Sequence, residues 1–253
     1  MLELDELLEA LSSVRPAVLS RGQRAFSAIG HDSRNLKGGE LFAALRSATG
    51  DGHAHAGDAV RRGALGLLVD RPGEELGLPP GPEPTVILVP DVREALEAFA
   101  QWRLRALRTV VVVGSLGKST AQACLLAAWG RSSGVPVTAN GDRNDSLGIP
   151  LALSEAEGAH SGPAVLEVVA DGSLEERRLA RMASPEVVCL TSLEDAKSLY
   201  WSSSRALAAQ VARMWAPRAR LVAPAGSAAL LGRWGSGAAY FGPLGSGAAV
   251  EVG

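Results

Sequence analysis

The residues best equipped for chemistry lie together in Gly114-Ser115-Leu116-Gly117-Lys118-Ser119-Thr120. An amine and neighbouring hydroxyls behind two glycines are the materials of a polyphosphate cradle. Glycines let backbone N–H groups close around phosphate oxygens, and a helix starting at the lysine adds partial positive charge. Lys118 would meet the terminal phosphates, and Ser119 would place its hydroxyl on Mg²⁺. The spacing departs from the ordinary P-loop, which has four residues between its glycines; Gly114 and Gly117 enclose only Ser115 and Leu116, and Val112 stands where the first glycine would fall. The plain alternative is a chance Gly-Lys-Ser in a strand-to-helix turn. Lysine occurs only at positions 37, 118 and 197, so its presence in this turn carries weight.

A second chemical residue is Glu167, an acid inside the apolar run Pro163 to Ala170. Burying a carboxylate is costly unless it is paired or ligates a cation. A Mg²⁺–nucleotide nearby would meet that cost, and so would an arginine partner. Other polar groups cluster earlier. Asp32-Ser33-Arg34 has the composition of an Asx turn capped by its own side chains. His53-x-His55 lacks a third ligand, which favours a solvent-exposed loop over a metal site.

The elements that must position these groups alternate strand and helix. Thr109 to Val113 are all β-branched, as in a strand buried on both faces. Ala121 to Trp129 forms helix and Gly130 closes it. Downstream, strands are expected at Val135–Ala139, Pro163–Ala170, Pro185–Thr191, Arg220–Ala223 and Ala238–Phe241, with helices at Glu175–Met182 and Ser203–Trp215. Upstream, Leu2 to Leu11 has helical spacing, Ala25–Ile29, Leu41–Leu45, Leu65–Val69 and Thr85–Val89 read as strands, and Ala56–Arg62 as helix. Asp91 is placed to cap a helix reaching Leu107. The fold class is therefore α/β: a small N-terminal α/β domain over 1–90, then a P-loop domain over 91–253 with a mainly parallel sheet flanked by helices.

Composition limits the partners. Of the 253 residues 47% are hydrophobic and 21% charged, enough to bury a core, and the net charge of −2 suggests neither nucleic acid nor an anionic membrane as a bulk partner. Cys124 and Cys189 are far apart and show no metal spacing. With no signal peptide and no apolar run long enough to span a bilayer, a soluble, cytoplasmic protein is expected.

In order, these segments resemble the Mur ligases, ATP-dependent enzymes of peptidoglycan precursor synthesis, and within them the branch that adds D-alanyl-D-alanine to UDP-MurNAc-tripeptide. HDSRNLKGGELFAALRSATGDGHAHAGDAVRRGALGLLVD is close to the family's DSR…GxLFxAL…DGHxF…A…GA pattern, and GSLGKST to its GTxGKTT, which accounts for the short glycine spacing. NDSLGIPLAL is similar to NNxIGxPLxL, Glu167 to the acid of the ExG strand, and SPEVVCLTSL to the strand ending in TNI. The resemblance implies ATP and Mg²⁺ on Gly114, Gly117, Lys118, Ser119 and Thr120, with Glu167 on a second Mg²⁺. It implies a UDP-N-acetylmuramoyl-peptide on Ser33, Arg34, Asp51, Gly52 and His53, with Asn140 and Asn144 near the junction of substrate and nucleotide. In the family a substrate carboxylate attacks the γ-phosphate and the incoming amine opens the acyl phosphate.

Several positions depart from the pattern. Lys197 stands where the family has a metal-holding His, and Val211, or Gln210 with a one-residue slip, where it has a carbamylated Lys. Asp145 replaces the second Asn of the NN pair, and Val168-Val169 replaces the residues completing ExG. The sequence ends where the family's third domain starts. These departures lead to two expectations: a degenerate homologue that binds nucleotide or UDP precursor without ligating, or a working ligase whose third domain comes from a partner chain. A stand-alone NTPase would need a water-positioning residue that the sequence does not identify.

Overall fold

The structure is a computed structural model that describes residues 1–47, 50–72, 76–129, 137–139, 145–156, 163–193, 202–243 and 250–252. The chain divides into two compact units. The first comprises residues 1–103 and 150–157, the second 104–149 and 158–253. The division falls near the end of the helix that Asp91 caps.

In the first unit β1 (Leu2–Glu3) leads into α1 (Leu4–Ala10), whose Leu4 and Leu7 are buried. β2 (Ala17–Ser20) is followed by β3 (Ala25–Phe26), which pairs with β1, and by β4 (Ile29–Gly30). The single strand expected over Ala25–Ile29 is thus two short ones with different partners. Next come β5 (Leu41–Ala43), the small hairpin of β6 (Arg46–Ser47) and β7 (Gly50–Asp51), α2 (Ala56–Arg61), β8 (Gly66–Val69) and β9 (Thr85–Leu88). The main sheet has the order β2-β9-β8-β5-β4; only β2 runs antiparallel to its neighbour. Phe42, Ala56, Ala59, Leu67, Val69 and Val86 share one apolar cluster that fixes α2 to this sheet. α3 (Val92–Arg105) starts at Asp91, whose Oδ1 accepts the Glu94 N–H at 2.9 Å.

The second unit is built on a seven-stranded sheet. Its strands are β10 (Thr109–Val113), β11 (Val137–Ala139), β12 (Ala164–Glu167), β13 (Val187–Leu190), β14 (Arg220–Pro224), β15 (Ala239–Pro243) and β16 (Val250–Val252). Every pairing is parallel, in the order β11-β12-β10-β13-β14-β15-β16. The five residues of β10 are all buried, as a central strand of a covered parallel sheet requires. The helices after β10 are α4 (Lys118–Trp129), α5 (Gly148–Glu155), most of which belongs to the first unit, α6 (Leu174–Ala183), α7 (Ser204–Met214) and the short α8 (Ala228–Leu231). β10 lies between β12 and β13, so the strand order reverses beside it. The crevice at the carboxyl end of such a switch point is where open α/β sheets bind ligands.

Candidate functional site

The glycine turn runs from the end of β10 into α4, at that switch point. Gly114 has φ +150° and Gly117 φ +77°, conformations that side chains resist. A Cβ on Gly114 would lie 2.3 Å from Thr191 Oγ1 and 2.9 Å from the Ser192 backbone nitrogen and oxygen. Glycine there lets the turn lie directly on the end of β13. Two bonds fasten it: Ser115 N–H donates to the Ser192 carbonyl at 2.9 Å, and the Thr191 hydroxyl donates to the Leu116 carbonyl at 2.6 Å.

Lys118 opens α4. Its half-buried ammonium donates to the Gly114 carbonyl at 3.1 Å, spanning the turn. Thr120 is exposed in the same first helical turn. Ser119 Oγ donates to Glu167 Oε2 at 2.8 Å. Glu167 ends β12 opposite Val112 and is only 8% exposed, so the Ser119 hydroxyl supplies a hydrogen-bond partner for the acid noted in the sequence. A hydroxyl and a carboxylate converging beside a lysine and helix-start amides suit a phosphate-bound Mg²⁺, which accepts few protein oxygens and keeps waters. No group of three His, Cys, Asp or Glu that could hold a metal exists among the described residues.

In the first unit both sequence motifs meet α2. Asp32 Oδ1 accepts the Arg34 N–H at 3.0 Å, forming the expected Asx turn, and the carboxylate takes Arg34 Nε and Nη2 at 2.9 and 2.8 Å. The Arg34 side-chain bond, strongest of the causes, lowers the Asp32 pKa to about 2. Ser33 is buried and hydrogen-bonds Asp58 of α2. Asp51 caps the turn before α2, accepting the His53 N–H at 3.0 Å. Gly52 fits because a Cβ there would lie 2.7 Å from the Leu45 backbone.

His53 corrects the solvent-exposed reading of His53-x-His55: it is 3% exposed, while His55 is open to solvent. Its Nε2 accepts the Asp70 N–H at 3.2 Å, so Nδ1 carries the proton and donates to Asp51 Oδ1 at 2.7 Å. Arg71 pairs with Asp51, and Arg46 Nη2 reaches Asp70 at 2.7 Å. Burial, the largest influence, pushes the imidazole pKa down, and Arg46 adds to it. Both ring nitrogens are engaged, so a ligand would meet the rim of this cluster.

The departures from the family pattern find physical roles. Asp145 Oδ1 accepts the N–H groups of Leu147 and Gly148 at 3.1 and 2.5 Å and caps α5. Val211 is fully buried on α7, and Gln210 Nε2 donates to Glu176 Oε2 at 2.9 Å. Neither position offers an amine to carry a carbamate, so the residues do not fit that second metal. Asn140, Asn144 and Lys197 lie outside the described residues.

Sequence reasoning missed Thr191 and Glu176. Glu176 is 1% exposed and accepts Trp215 Nε1 at 2.8 Å, Gly172 N–H at 2.7 Å and Asp171 N–H at 3.2 Å besides Gln210. One signal was available: Ser173-x-x-Glu176 is a capping-box spacing, and Ser173 Oγ does accept the Glu176 N–H at 3.1 Å.

Comparison with known proteins gives two family matches: the Mur ligase family catalytic domain over residues 25–103 and the Mur ligase middle domain over residues 112–213. Among curated relatives, the UDP-N-acetylmuramoyl-tripeptide–D-alanyl-D-alanine ligase of Synechocystis is 32% identical over 166 residues, covering 64% of this chain and 35% of its own length. The Bacillus subtilis enzyme of the same name is 32% identical over 174 residues, 68% of this chain and 36% of its own. The chain thus spans about a third of the length of these relatives. Its fold is shared with MurF from Acinetobacter baumannii (TM-score 0.78, 22% identity, 96% of this chain and 53% of that one). It is also shared with MurF from Thermotoga maritima in complex with ADP (TM-score 0.68, 21% identity, 86% and 51%).

Proposed function

The chain belongs to the Mur ligase family, and from that membership we propose that it is a MurF-like protein that binds ATP and a UDP-N-acetylmuramoyl-peptide but lacks full ligase activity. The Gly117 amide at the end of the turn and the Lys118 ammonium hold the terminal phosphates. Ser119 and Glu167 would hold Mg²⁺, which screens phosphate charge when bound. Ser33, Arg34, Asp51, Gly52 and His53 form the first-unit site for the UDP moiety, with the exposed Arg34 facing the ligand and the buried Ser33 and His53 supporting the turns from behind. The observation carrying the inactive half is α7: Val211 is buried and Gln210 is committed to Glu176, so the family's carbamylated lysine has no counterpart. Acyl-phosphate chemistry rests on charge neutralisation and positioning, and losing one cation site weakens both.

Calorimetry tests the binding half. Mg-ATP binds the wild-type chain and not Lys118→Ala; absence of binding to wild type would overturn nucleotide recognition. ADP release with UDP-MurNAc-tripeptide and D-alanyl-D-alanine tests the other half, and none is expected from the purified chain. The retained Ser119–Glu167 contact favours a second reading, a ligase completed by a partner chain. Turnover that begins only when a second purified chain is added would establish it.

A further inference from the structure

We propose that Thr191 is a positioning residue that aims the Gly117 amide at the terminal phosphates of a bound nucleoside triphosphate; this rests on the nucleotide-binding reading above and deepens it. The Thr191 hydroxyl has one proton, and it lies 2.6 Å from the Leu116 carbonyl against 3.4 Å from that of Val113. The proton therefore goes to Leu116. In a planar trans peptide the carbonyl and the following N–H point in opposite directions. Tying the Leu116 carbonyl back to the end of β13 turns the Gly117 N–H away from Thr191.

Two further observations show that this arrangement is built into the turn. Thr191 is itself anchored, its N–H donating to the Val113 carbonyl at 2.9 Å, so the hydroxyl acts from a sheet-fixed position. Gly114 has no room for a Cβ because Thr191 Oγ1 would be 2.3 Å from it. Gly117, at φ +77°, supplies the left-handed residue that lets the chain enter α4 directly after the tethered peptide. Without the hydroxyl, the Leu116–Gly117 peptide is free to rotate and present its carbonyl to the ligand, where an anion would be repelled.

The test compares Thr191→Val, which keeps shape and removes the hydroxyl, with Thr191→Ser, which keeps the hydroxyl. Thermal unfolding establishes that each is folded, and Thr191→Ala repeats the comparison if the valine variant is not. Mg-ATP affinity by calorimetry is expected to fall about tenfold in Thr191→Val, the loss of one aligned charge-assisted bond, and to stay within roughly threefold of wild type in Thr191→Ser. In ¹⁵N-labelled protein the Gly117 amide resonance shifts on Mg-ATP addition in wild type and Thr191→Ser but not in Thr191→Val, a signature that a merely structural threonine would not produce. Wild-type affinity in Thr191→Val, with a Gly117 resonance that still moves on Mg-ATP addition as it does in wild type, would overturn the positioning role alone. A wild-type chain that binds no Mg-ATP would overturn that role together with the nucleotide reading.

Discussion

Each of the two aspartates beside the His53 imidazole is also held by an arginine, Arg71 on Asp51 and Arg46 on Asp70. Burial depresses the imidazole pKa below its ordinary 6.5; the Asp70 charge opposes that shift and Arg46 adds to it. The unfolded chain takes up a proton as pH falls through about 6.5 while the folded chain resists it, so this histidine's contribution is present above that pH and lost on acidification. Thermal unfolding scans are expected to show a falling midpoint below pH 6.5, with a shallower fall in His53→Gln. Asp32 behaves differently. With its pKa at about 2, its pairing persists across the working pH range, and Arg34 is 80% exposed. Arg34→Ala should leave the unfolding midpoint unchanged, so a loss of UDP-precursor affinity in that variant would report contact with ligand. The Asx turn of Asp32 could be read from sequence because its partners lie within three residues. The pairing of His53 with Asp70 could not, because α2 and β8 lie between them in the chain.

At the level of elements, α6 and α7 are joined by a carboxylate surrounded by neutral donors. Glu176 receives Gln210 from α7, Trp215 from the residue that follows it, and two amides from the loop before α6. Removing it strands those donors inside the protein, so Glu176→Ala should cost about 3 kcal/mol in urea unfolding. Gly114→Ala belongs to the same scale, since its Cβ would push the turn off β13; loss of Mg-ATP binding with secondary structure retained by circular dichroism is the expected result. The run of β-branched residues announced β10 with its ends correct. The strand β2 was not foreseen: Ala-Val-Leu-Ser alternates between exposed and half-buried at a sheet edge, and its strand character comes from pairing with β9, far along the chain. β3 and β4 merged into one expected strand because the change of partner, from β1 to β5, leaves no local mark.

For the molecule as a whole, the alternation of strand and helix was enough to give an α/β protein with a parallel second sheet, but the path between the units was hidden. Residues 150–157 belong to the first unit although they follow the glycine turn and α4 in sequence. Ser154 makes the connection chemically: its buried Oγ accepts the Ile29 N–H at 2.9 Å and donates to the Leu151 carbonyl at 2.7 Å. Ser154→Ala leaves the Ile29 amide without that acceptor and should cost about 1–2 kcal/mol in chemical unfolding. This returning helix also governs the order in which the protein matures during synthesis. As the ribosome releases the chain from its N-terminus, the first unit waits for its last piece until β10, α4 and β11 have already emerged, so the nascent N-terminal half stays incomplete while the phosphate turn is being made.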